Sequence, residues 1–391
     1  MSNESSNELV VNPAPHITGT MSKNRLMQYT FVALLIITVI SAILWWPVPS
    51  PTDSQIAAFS LSNVWQMPLG AIVLLNALIA IGVAVGADAL IHKVTSDSDL
   101  NTWSAAVFGL IVTLSYSLGV PSMALGVDLM PIDTLTAPMA FVYVALISLI
   151  GLVVFKKVQG IGGRKYVNPA AAAKFLVLLP LIGSVFLAKE HFAAFEAGGL
   201  GVPSLAGPIG GGVLPVGTNG LASFTTYLQG CYANPLATTS LPDVNSLMIL
   251  DKFHGWTGGA SSLAVIIVGI ALFVLARKYI KWRVTAAYFI SIVALSLIFA
   301  TVYADQDLIV RLLFEVFIGS SIFLGFFMAT DPATTPFTGT GQIIFGVGLA
   351  ILTILIQTYM NFFGGSLLAL LIMNLTVPLL DRVGVHKPFG R

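Results

Sequence analysis

Ten predominantly apolar stretches recur along the chain, most of them near the ~20 residues a helix needs to cross the hydrocarbon of a bilayer. They fall near 27–46, 67–91, 103–120, 134–155, 169–188, 260–276, 284–303, 308–328, 342–359 and 363–380. The third run stops early, at Gly119, Val120 and Pro121, which predicts a broken or partial span. The pattern predicts an all-α polytopic membrane protein of about ten transmembrane helices. Residues 1–26 form a polar tail and 27–188 a first five-helix half. Residues 189–258 form a Gly-rich extracytoplasmic loop, and 259–391 a second five-helix half with a short tail. An odd number of spans per half sets two related halves in opposite orientations.

Composition agrees with lipid as the main solvent. Of 391 residues, 56% are hydrophobic and 9% charged, too few charges to cover a water-soluble surface. Basic residues orient the spans, because Lys and Arg are retained on the cytoplasmic side. With the N-terminus inside, the inside segments hold Lys23, Arg25, Lys93, Lys156, Lys157, Arg164, Lys165, Arg277, Lys278, Lys281, Arg283, Arg382, Lys387 and Arg391. The outside segments hold Lys189, Lys252 and Arg311, and Lys174 lies within a span, which accounts for all 18. The sequence therefore predicts a multi-pass protein of the cell membrane with both termini cytoplasmic. A net charge of +1 gives no reason to expect a nucleic-acid partner. The single cysteine, Cys231, cannot hold a metal cluster by itself. Five scattered histidines suggest no haem, and no catalytic or metal-ligating set stands out.

Chemistry concentrates where the apolar pattern breaks. The third span ends in SLGVPSMALGVDLMP and the eighth in FFMATDPATTPFTG, each a Pro-interrupted polar turn. Facing broken helices of this kind build the midplane sites of transporters. In Met328–Pro336, two prolines remove backbone donors while Asp331, Thr330 and Thr334 can cap freed groups or contact a ligand. Lys156–Phe175 is a basic, Gly-rich turn leading into Asn168-Pro169, a good helix start. Asp88 and Arg311 lie near span ends, where snorkelling suffices. Glu315 sits deeper, either on an ion path or paired with Arg311 one turn away. Aromatic residues Phe224, Tyr227, Tyr232, Phe253 and Trp256 flank the loop motif CYANPLATTS, as an interfacial belt or as walls of a ring-binding slot.

Several segments, in order, carry a resemblance: APHITGTMSKNRLM, VFKKVQGIGGRKYVNPA, ARKYIKWRV, FFMATDPATTPFTGTGQIIFG and LLALLIMNLTVPLLDRVGVHKPFG. Together they resemble the membrane subunit family that contains RnfD of the Rnf complex and NqrB of the sodium-pumping NADH:quinone reductase, with the RnfD side favoured. The resemblance implies a translocase subunit, not catalytic alone, of a redox-driven pump that couples electron transfer to movement of Na+ or H+. It implies partners among the other Rnf-type subunits: membrane subunits, iron–sulfur subunits and a flavin-bearing subunit. It also implies FMN esterified to a threonine on the outer side, and in some members a further flavin such as riboflavin. The aligned stretch here is Tyr232, Asn234, Pro235 and Ala237. Asn234 stands where the threonine is expected, and its amide cannot form that ester; Thr238 and Thr239 lie four and five residues on. Asn168, Thr330, Asp331 and Thr334 are the other expected flavin contacts, with Glu315 and Asp331 on the ion path. Gly259 and Gly364 stand where acidic residues are expected. Two other readings remain open: a solute channel of the urea-transporter type, and a scaffold subunit without flavin.

Overall fold

The computed structural model of the chain describes residues 22–46, 68–95, 102–116, 139–161, 165–177, 256–302, 308–317, 321–359 and 365–384. Each of the ten apolar runs coincides with helix in these residues, and none of them forms a strand. In chain order the helices are α1 (Lys23–Trp45), α2 (Leu69–Thr95), α3 (Thr102–Ser115), α4 (Met139–Ile150) and α5 (169–177). They continue as α6 (Ser262–Leu275), α7 (Trp282–Val302), α8 (Leu308–Phe317), α9 (Ser321–Phe323), α10 (Gly339–Tyr359) and α11 (Gly365–Leu380). α4 runs on as a π-helix over Gly151–Val158, and α9 as a second over Leu324–Met328. Among the described residues, five helices are long and apolar enough to span a bilayer: Asn24–Leu44, Gly70–Val94, Phe141–Val158, Trp282–Thr301 and Gly339–Ile356.

The outer surface is built for lipid. α1 exposes Val32, Leu35, Ile36, Val39 and Ile43 while burying Thr38 and Ser41, the reverse of a soluble amphipathic helix. With no water in the hydrocarbon, buried hydroxyls turn back on their own helix. Thr38 Oγ1 donates to Leu34 O at 2.8 Å, and Ser296 Oγ to Ile292 O at 2.7 Å. Two helix starts are capped by serine: Ser22 Oγ accepts from Arg25 N, and Ser261 Oγ from Ala264 N, both at 3.2 Å.

Packing between spans relies on small residues, which let backbones approach closely. α2 packs along α3, and a Cβ on Gly109 would come within 2.7 Å of the Ala80 carbonyl. α10 packs along α7, where a Cβ on Gly346 would meet the Val284 carbonyl at 2.6 Å. α1 joins the two groups by contacting α2, α3 and α6.

The helix directions alternate. The start of α1, the start of α3, the end of α4, the start of α5, the end of α6 and the turn after α9 all meet at one end of the bundle. The end of α2 joins them through Asp88, which pairs with Lys157 Nζ at 2.6 Å. Asp381 at the end of α11 accepts from Phe337 N before α10 at 2.8 Å. This shared end carries most of the basic residues and is here called the basic end. Asp88 departs from expectation: its side chain is 3% exposed and held in an ion pair between two helices, because the α4 lysine reaches it before water does.

Candidate functional site

At the basic end, a cavity of about 130 Å³ lies between α1, α3, α4, α5, α6 and the turn after α9. Its walls are largely apolar and aromatic, with Met27, Phe108, Leu272, Phe326 and Phe327, and its polar rim includes Thr30, Lys156, Lys165, Asn168, Thr330 and Asp331. Both π-helical stretches reach it, one carrying Lys156 and the other Phe326 and Phe327. A π-bulge shifts side chains relative to a regular helix and often marks a functional site.

The second π-stretch has a visible cause. Ala329 N reaches back five residues to Leu324 O at 2.8 Å, passing over the Gly325 carbonyl. That carbonyl accepts instead from Thr285 Oγ1 of α7 at 2.7 Å. A hydroxyl from a neighbouring helix therefore satisfies the group that the bulge releases. Phe326 is held between Phe273 and Phe289, with ring centroids 5.3 and 5.6 Å away, and Phe327 stacks on Phe323 at 5.5 Å.

Past the bulge, the Asp-Pro turn is fixed from several directions. Asp331 Oδ1 accepts from Ala333 N at 3.1 Å, and Oδ2 from Thr334 Oγ1 at 3.3 Å. Thr330 Oγ1 donates to Phe326 O at 2.8 Å. Lys281 Nζ, from the α6–α7 connection, donates to the carbonyls of Pro332 and Thr335 at 2.9 and 2.8 Å. Two asparagines tie the turn to distant chain. Asn374 of α11 donates through Nδ2 to Thr334 O at 3.0 Å and accepts from Asn168 N at 2.9 Å. Asn168 Oδ1 caps α5 by accepting from Ala170 N and Ala171 N, and its Nδ2 donates to Met328 O at 3.3 Å. Residues 168, 328, 334 and 374 are thus joined by side-chain amides deep in an apolar setting.

Three expected ligand contacts, Asn168, Thr330 and Asp331, line one cavity. Thr334 sits behind it, buried and bonded to Asp331. Glu315 is buried in α8 and does not line the cavity. Tyr232, Asn234, Pro235, Ala237, Thr238 and Thr239 lie outside the described residues, as do Phe224, Tyr227, Phe253 and Gly364. Trp256 is not a belt residue: it is 1% exposed and packs edge-on against Phe323 at 6.3 Å. Sequence reasoning missed Asn374, although an asparagine inside the apolar run LLALLIMNLTV was a signal. It also treated Lys156 and Lys281 as topology markers only. Lys156 Nζ donates to Ser104 O at 2.7 Å and lies 5.8 Å over the Phe108 ring.

Lipid-facing helices with interrupted, π-distorted spans define a multi-pass membrane protein with a largely apolar, aromatic cavity at one membrane end. The chain belongs to the NQR2, RnfD, RnfE family, whose profile matches residues 10–390. It is 25% identical over 392 residues to the D subunit of the Na(+)-translocating ferredoxin:NAD(+) oxidoreductase complex of Acetobacterium woodii, covering 98% of this chain and 95% of that one. It is 26% identical to the D subunit of an ion-translocating oxidoreductase complex of Shewanella amazonensis, covering 80% of this chain and 85% of that one. The B subunit of the Na(+)-translocating NADH-quinone reductase of Ectopseudomonas mendocina is 28% identical over 62% of this chain and 54% of its own length.

Proposed function

We propose that this chain is the D-type membrane subunit of an Rnf-type complex that moves Na+ or H+ as electrons pass between carriers, and that its cavity, at about 130 Å³ too small for the whole ring system, takes one edge of a flavin. The observation that carries the cofactor reading is the meeting of Asn168, Thr330 and Asp331 with Phe108, Phe326 and Phe327 around one cavity. A bound flavin would supply one- and two-electron redox chemistry. The chain's own residues would bind and orient it. The phenylalanines exclude water and pack on the ring, and the Asn168, Thr330 and Asp331 side chains present polar atoms to its edges. Lys165 gives the rim a positive character that suits a ring accepting electrons. A second flavin belongs to the outer loop around Asn234–Thr239, held without an ester at Asn234 or through Thr238 or Thr239. In this reading the basic end faces the cytoplasm, and the other subunits of the complex deliver and remove electrons.

The test is flavin analysis of the purified complex. Acid precipitation separates released flavin from protein-bound flavin, and intact mass locates any ester. Phe327→Ala is expected to lower the released flavin without changing the ester-linked fraction. A wild-type complex free of both forms would refute the cofactor reading and leave the scaffold role.

A further inference from the structure

α6 and α7 follow one another after a short connection, yet they do not pack along each other. α6 lies on α1 and on the α9 segment, and α7 lies on α8 and α10. Phe326 of the second π-stretch sits between Phe273 of α6 and Phe289 of α7, so a third segment joins the two helices. The Phe273 and Phe289 rings are half-buried. To either side the outward faces are apolar and exposed, with Ile267, Ile270 and Val274 on α6 and Ile290, Val293 and Leu297 on α7. A gap of this kind, facing hydrocarbon, is filled by lipid chains rather than by water.

The connection closes the basic end of the gap. Tyr279 N and Ile280 N both donate to Ala276 O, at 2.8 and 3.2 Å, a tight turn that leaves Arg277, Lys278 and Tyr279 exposed. Trp282 and Arg283 are exposed where α7 begins, the guanidinium 5.9 Å from the indole ring. Lys281 is engaged by the carbonyls of Pro332 and Thr335. Among the described residues, no carboxylate pairs with Arg277, Lys278 or Arg283. Tyrosine and tryptophan mark the headgroup level of a bilayer, so these three cations stand where lipid phosphates lie.

We infer that the α6–α7 gap binds one anionic phospholipid: an acyl chain lies along the Phe273, Phe326 and Phe289 row, and the phosphate meets Arg277, Lys278 and Arg283. A zwitterionic lipid brings a cation of its own, which these three repel, so the site selects a headgroup of net negative charge. The chain then rests against the rings that hold Phe326, a residue of the cavity wall. The site depends on the membrane setting of the helices and on no cofactor.

The experiment places the whole complex in phosphatidylcholine nanodiscs containing a trace of either phosphatidylglycerol or phosphatidylcholine with a diazirine on one acyl chain. After illumination, labelled peptides of α6 and α7 are quantified by mass spectrometry, with no redox turnover required. In wild type the phosphatidylglycerol probe is expected to label them about tenfold or more above the phosphatidylcholine probe. Lys278→Gln should lower that excess about fivefold, the effect of one cation near an anionic headgroup. Combining Arg277→Gln, Lys278→Gln and Arg283→Gln should bring the two probes level; if that variant fails to assemble, Lys278→Gln alone decides. Lys93→Gln, at an exposed cation of α2 at the same end, should leave the excess intact. Equal labelling by both probes in wild type would overturn the inference, as would an excess that survives Lys278→Gln or falls equally with Lys93→Gln. So would a gap that neither probe reaches, because a protein partner then covers it.

Discussion

Replacing Asn374 with leucine tests whether the amide bridge organises the cavity. Leucine keeps the branching and the number of side-chain heavy atoms, but its methyl groups are bulkier, so a packing cost adds to the loss of hydrogen bonding. Two bonds disappear, Asn374 Nδ2 to Thr334 O and Asn168 N to Asn374 Oδ1. The Thr334 carbonyl and the Asn168 N–H are then left without those partners in a buried, apolar place. An unsatisfied buried backbone group costs about 1–3 kcal/mol in soluble proteins. Interhelical polar contacts measured within membranes average only about 0.6 kcal/mol, with a maximum near 1.7. Two such losses therefore predict roughly 1–3 kcal/mol, the upper part of the range being favoured because both orphaned groups are backbone and cannot rotate away. The assay is reversible unfolding in detergent micelles, with Thr376→Val as control. Among the described residues, Thr376 Oγ1 bonds only within its own helix, to Met373 O at 2.8 Å, so its loss should stay within about 0.5 kcal/mol. The leucine variant should also lose flavin from the cavity, because Asn168 and the Asp-Pro turn would no longer share an anchor. A leucine variant as stable as the control, with full flavin, would refute the reasoning.

Other outcomes follow from named contacts. Lys157→Met should destabilise by about 3–5 kcal/mol, because Asp88 is left buried without its partner. Combining it with Asp88→Leu should recover most of that loss, and the same unfolding assay checks both. Gly346→Val should cost at least about 1–3 kcal/mol or block assembly, since its side chain would press on the Val284 backbone rather than on a movable side chain; yield of assembled complex reports it. Thr285→Val should leave the Gly325 carbonyl unsatisfied and lower cavity flavin by disturbing the π-stretch that carries Phe326 and Phe327, measured as flavin per mole of complex. If an ester-linked FMN is present, Thr238→Ala combined with Thr239→Ala should remove it, read as the loss of one FMN in intact mass.

The linear sequence was enough to place a helix at each of the ten apolar runs in the described residues, for a physical reason, though not the helical continuation to Ile161 or the short helix Thr257–Gly259. A segment in hydrocarbon must bond its backbone internally, so apolar length alone selects helix. Alternating directions were legible from Lys and Arg for the same reason, and the ends that meet in the structure are those the basic residues marked. The family too was legible, from MATDPATTP and LLIMNLTVPLL in order. Within the candidate site, Asn168, Thr330 and Asp331 could be named because they sit where the apolar pattern breaks.

The tertiary structure alone decided what those residues touch. Asn374 is 206 residues from Asn168, and no local rule links them. The second π-stretch depends on a partner in another helix, as Thr285 shows for Gly325, so periodicity in that segment could not reveal it. Asp88 and Lys174 look alike on paper, single charges in apolar runs. One gains a lysine from α4 and the other a helix end and an indole ring. Burial in lipid makes a helix out of any sufficiently apolar segment, but the partner of a buried polar group is set by which helices lie beside it, and that is a property of the packed bundle.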